Sequence, residues 1–135
     1  MKLEDQVCSL DLAKRLKELG VKQESIFSWF VPYAAPENAE VGRFELVSDH
    51  AKTIMDISSA FTVAELGEII QKALPDKVFH WWWSEQVEIR SQYVGLGPRH
   101  GGTVEHTAHA STEADARARL LVYLIEQGLV KAGNK

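Results

Sequence analysis

GGTVEHTAHASTEADARARLLVYLIEQG, residues 101–128, changes periodicity halfway along, and that change decides the fold class. From Thr103 to Ala110 polar and apolar side chains alternate, the period of a half-buried strand. Val104, His106, Ala108 and Ala110 take one face; Thr103, Glu105, Thr107 and His109 take the other. Beyond Thr112 the apolar positions shift to helical spacing, with Ala114, Ala118, Leu121, Leu124 and Ile125 on one side. Thr112 is the expected N-cap, and Asp115 three residues on makes a carboxylate variant of the capping box. Glu113 to Arg117 and Asp115 to Arg119 are favourable i,i+4 pairs. Gly128 ends the helix, and Leu129–Lys135 reads as a frayed tail. A strand feeding a capped helix is the signature of an α+β fold.

Upstream, Ser9–Leu19 predicts a first helix, with Leu12, Leu16 and Leu19 on one face and Gly20 at the left-handed C-terminal position. Ile26–Val31 is short, aromatic and β-branched, hence a strand, and Val41–Ser48 is its expected hairpin partner. Asp49–Ala60 reads as an irregular connection. Thr62 and Glu65 form a capping box for a helix over Val63–Leu74, stopped by Pro75. Val78–Val94 reads as one long extended region bent near Ser84, and GLGPRHGG, residues 95–102, as a glycine loop. The expectation is one α+β domain over residues 1–135: antiparallel hairpins with two or three helices packed on one face.

Composition excludes several classes. Net charge is −4, so no global basic field exists to hold a nucleic-acid backbone. Cys8 is the single cysteine, which rules out an internal disulfide and a cysteine-based zinc site. The opening residues are charged, and no apolar run approaches a membrane span, so a cytoplasmic protein without membrane attachment is expected.

Four constellations bear on chemistry. The start of the last helix carries partial positive charge, Arg117 lies one turn in, and the glycine loop could bring Arg99 and His100 over the same end. That set suits a phosphate or carboxylate, with Thr112 at the cap; the competing reading is that Glu113 and Asp115 already neutralise it. Trp81, Trp82 and Trp83 are consecutive, so they cannot all face inward on a strand. Tyr93 or Trp82 is available to stack on a base, or the leftover tryptophan anchors a homo-oligomer. His106 and His109 project to opposite faces of their strand, and no metal-ligand motif occurs, so neither metal nor cofactor is expected. Finally, LAKRLKELGVKQESIFSWF has helix-turn-helix spacing, but a recognition helix there would carry little positive charge.

The segments EDQVCSLDLAKRLKELGVKQES, FTVAELGEII and TEADARARLLVYLIEQGL resemble those of small phage and prophage proteins. Within that group the chain most resembles the Thoeris anti-defence sponges. The resemblance implies a counter-defence protein acting in the host cytoplasm. It would sequester a cyclic nucleotide or cyclic-ADP-ribose signal without turnover, in oligomers of α+β protomers. It transfers no site residue. The expected function is therefore non-enzymatic capture of a phosphorylated, nucleotide-like small molecule through Arg117, Arg99, His100, Tyr93, Trp82 and Thr112. A protein-directed inhibitor of a host defence complex, a helix-turn-helix DNA binder, and a phosphodiesterase using His106 or His109 are the alternatives.

Overall fold

The computed structural model describes residues 3–30, 45–48, 56–86, 89–98 and 104–131. They form an α+β fold of two three-stranded antiparallel sheets and three α-helices. After a 3₁₀ turn, Leu3–Gln6, helix α1 spans Leu10–Glu18 and buries Ala13 and Leu16. Gly20, at φ 94°, reverses the chain where a side chain would be strained. Residues 21–25 then run on without helix into strand β1, Phe27–Phe30. The helix-turn-helix reading is thereby overturned: its second helix is replaced by the β-prone IFSWF stretch.

Strand β1 is central in the first sheet, between β2, Glu45–Ser48, and β3, Asp56–Ser59. Pairing of β1 with β2 matches the hairpin expected from sequence; residues 31–44 lie outside the described residues. Strand β3 is a correction, because 49–60 had read as irregular. Its sequence, DISS, offers one apolar residue, and side-chain hydrogen bonds take over the role of apolar burial. The Ser59 amide donates to Gln23 Oε1 at 2.7 Å, and Ser59 Oγ accepts from the Ser25 amide at 3.5 Å.

Helix α2, Val63–Ala73, opens with the full capping box. Thr62 Oγ1 accepts from the Glu65 amide at 3.1 Å, and Glu65 Oε1 accepts from the Thr62 amide at 2.9 Å. The same carboxylate accepts from Ser25 Oγ and the Ile26 amide, so it also fixes the entry to β1.

The second sheet has order β4-β5-β6, built from Lys77–Gln86, Ile89–Pro98 and His106–Ala110. The region read as one bent strand is instead a hairpin: β4 runs unbroken for ten residues and Gln86 pairs with Ile89. Gly95–Pro98 also belongs to β5 and not to a loop. A Cβ on Gly95 would stand 2.6 Å from Val104 Cγ1 and 3.1 Å from the Trp82 ring, so a strand glycine is what the packing demands here. Val104, assigned by alternation to the same face as His106, thus lies over Gly95 on the opposite side of the sheet.

Helix α3, Glu113–Glu126, packs on β5 and β6 and touches α1 and α2. It buries Ala116 and Leu120 as well as Ala114, Ala118, Leu121 and Leu124. The tail does not fray at once: the Leu129 and Val130 amides both donate to the Leu124 carbonyl, and Val130 is buried. Among the described residues no helix is long and apolar enough to cross a membrane.

Candidate functional site

The start of α3 is occupied by the protein's own groups. Thr112 Oγ1 accepts from the Asp115 amide at 3.2 Å, as its cap position predicts. Asp115 does not complete the box; its Oδ1 accepts from the Ser9 amide at 2.6 Å and ties the start of α1 to α3. Burial pushes the Asp115 carboxyl above its ordinary range, against the lowering influence of the Ser9 bonds. A folded value above the unfolded one means that the stabilising contribution is fullest in acid. It declines as pH rises through the folded value. Asp115→Asn keeps an acceptor for Ser9 without the buried charge. It should therefore gain stability relative to the natural chain between pH about 4 and about 7, which urea melts at both ends check.

Arg117 departs from its expected role. Its Nε and Nη2 reach Glu113 Oε2 at 2.9 and 2.8 Å, and Nη1 donates to the Val63 carbonyl at 3.3 Å. The guanidinium carbon lies 4.5 Å above the centre of the Phe79 ring, and the side chain is 17% exposed. Gly67 lies beneath it: a Cβ there would sit 2.1 Å from Nη1. Arg117 thus bridges α2, α3 and β4 as a structural pin, with Glu113 as its counterion. Where a phosphate contact was expected, the guanidinium has intramolecular partners instead, in a slot cut for it by a glycine on the neighbouring helix. An isolated glycine inside a capped helix was the one sequence signal for that slot.

The open face of the second sheet is different. Strand register aligns Trp82 with Tyr93, and Tyr93 with His109. The Trp82 and Tyr93 rings stack with centres 5.6 Å apart and planes within 4°, and His109 continues the row at 5.4 Å and 30°. Alternation puts this row on the face away from α3, since Phe79, Val94, Leu96, Ala108 and Ala110 pack with the helical core. Trp82 is 39% exposed, and its ring covers Gly95. Sequence named Trp82 and Tyr93 separately; His109 joins them only through the register, which single-sequence periodicity does not fix.

Trp81, 50% exposed, lies on the other face and donates from Nε1 to Gln92 Oε1 at 3.1 Å. Both Trp81 and Trp82 are therefore open to solvent, more than alternation alone requires. Arg99 and His100 lie outside the described residues. His106 packs against Tyr123 on the helical side and is separated by the sheet from His109, as the three-residue spacing predicts. Among the described residues no three His, Cys, Asp or Glu side chains converge as a metal site. Cys8 is buried, and burial pushes its thiol up to about 12, far from an active nucleophile.

A separate cleft of about 270 Å³ lies beside α2, over Val21, Phe61, Ile69 and Val130, and contains none of the sequence candidates. Its rim largely neutralises itself through Lys22–Glu24 and Lys72–Glu68 pairs. Comparison with family models, with curated proteins and with solved structures gives no significant match to this chain.

Proposed function

We propose that this protein is a non-catalytic binding module that captures a planar, phosphorylated small molecule of the nucleotide class on the open face of its second sheet. The observation that carries this reading is the Trp82–Tyr93–His109 row, three rings in register on the face opposite the one on which the described helices pack. Rings stacked at one end and open on a flank offer a base a π-surface, and stacking is tolerant of base identity. Arg99 and His100, cationic or polar residues of the connection between β5 and β6, are the proposed phosphate partners. Arg117 and Thr112 leave the ligand set, because their polar atoms serve the fold. Resemblance to the anti-defence sponges supports the narrower form: a phage counter-defence protein holding a cyclic nucleotide or cyclic-ADP-ribose signal in the host cytoplasm.

The test is titration with cyclic mono- and dinucleotides and with cyclic ADP-ribose, read by tryptophan fluorescence and by the unfolding midpoint. Fluorescence quenching, a raised midpoint and recovery of intact ligand after denaturation are expected. A cleaved product would overturn the non-catalytic reading. Absence of binding across the series would overturn the small-molecule reading and favour a protein-directed inhibitor.

A further inference from the structure

We propose that the cleft beside α2 is a second site, for a small amphipathic carboxylate whose apolar chain lies on Val21, Phe61, Ile69 and Val130 and whose head meets Lys131. No residue lining it comes from the second sheet, so the proposal is independent of the ring row and of the nucleotide reading. Two helix ends build this cleft. At the end of α1, Gly20 takes φ 94°, its amide donates to the Lys17 carbonyl, and the Val21 amide donates to that of Leu16. At the end of α3, Gly128 takes φ 73°, its amide donates to the Ile125 carbonyl, and the Leu129 amide donates to that of Leu124. Both are the same left-handed cap, which turns the chain back across its own helix end. Downstream of each cap stands a valine followed by a lysine, Val21-Lys22 and Val130-Lys131, and all four line the cleft. Helix α2 closes the remaining side with Ile69.

The walls and the rim decide what fits. Four apolar side chains give water no hydrogen-bond partner, so an apolar body displaces it at little cost. The cleft holds about 270 Å³, just under the usual range of small-molecule sites, about 300–1,000 Å³. At about 30 Å³ for a water-sized group it takes roughly nine of them, an aliphatic chain of about eight to ten carbons. The head group follows from the charges. Lys22 is paired with Glu24 at 3.0 Å, and Lys72 with Glu68 at 2.9 Å. Both oxygens of Glu65 are taken by the Thr62 and Ile26 amides and the Ser25 hydroxyl. Of the charged groups on the rim, Lys131 alone has no partner among the described residues. An unengaged ammonium at the lip of an apolar cleft, beside acids that are already engaged, is complementary to an anionic head on an apolar chain.

Calorimetric titration with sodium decanoate, kept below its micelle concentration, should show saturable binding of one decanoate per chain. Ala73→Trp sets an indole into the cleft from the exposed last position of α2 and should abolish that binding, with an unfolding midpoint close to that of the natural chain. Lys131→Gln should weaken binding about tenfold, the low end for a hydrogen bond to a charged group, and Lys131→Arg should restore it. Because Lys131 is exposed, these two variants keep the fold and test the head group even if the filled cleft does not. No decanoate binding by the natural chain, binding unaffected by Ala73→Trp, or binding indifferent to Lys131→Gln would each overturn the proposal. So would a dimer that Ala73→Trp dissociates and decanoate leaves intact, which would give the cleft to a second copy.

Discussion

Replacing Arg117 with alanine is expected to lower stability by about 2 kcal/mol, roughly 6–10 °C in the unfolding midpoint. The loss combines a partly buried ion pair with Glu113, the bond to the Val63 carbonyl and the contact with Phe79. The more telling result comes from Gly67. In the natural chain Gly67→Ala drives a methyl into the guanidinium, 2.1 Å from its ideal position, and displaces the whole arrangement. The helix-propensity gain of about 1 kcal/mol does not offset that displacement. With Arg117 already truncated the slot is vacant, so the same Gly67→Ala should stabilise by about 1 kcal/mol. The sign of one substitution therefore depends on the other residue. A double-mutant cycle in urea measures this, and additivity within about 0.5 kcal/mol would refute the pin.

Trp82→Ala and Tyr93→Ala should each weaken nucleotide binding by about 5- to 150-fold, the range set by about 1–3 kcal/mol of stacking per base. Tyr93 is expected to matter in both directions, since it lies between Trp82 and His109 and aligns both rings. Trp82→Phe should lose less than Trp82→Ala, because it keeps a ring in the row. Tyr123→Ala, which removes an exposed ring on α3, should leave affinity unchanged. Fluorescence or calorimetric titration of the four variants separates a stacking platform from a general aromatic surface. Retained affinity in both Trp82→Ala and Tyr93→Ala would remove the platform from the mechanism.

The elements that were legible in the sequence are those whose signals are local. Thr62 with Glu65, Gly20, Gly128 and the alternation from His106 to Ala110 each state their own geometry within a few residues. Strand β3 was not legible, because DISS lacks the apolar alternation that marks a half-buried strand and depends on distant partners such as Gln23. Gly95 and Gly97 misled for a related reason. Glycine signals a turn when read locally, whereas here Trp82 and Val104 occupy the space above Gly95. The same distinction divides the candidate site. Trp82 and Tyr93 were visible as surplus aromatics, but their stacking with His109 is a property of three strands in register. The pairing of Arg117 with Glu113 was legible as an i,i+4 pair, but Gly67, Val63 and Phe79, which complete its slot, come from other elements.

The Glu65 carboxylate has a consequence for how this protein comes apart. It is held by donors from Thr62, Ser25 and Ile26, two stretches almost forty positions distant along the chain. Removing that one group would orphan the amide at the helix cap, Thr62, and the amide just before the strand, Ile26, in the same event. Breathing of the second helix and detachment of the first strand are therefore a single opening, and the molecule has no cheap route to losing one while keeping the other.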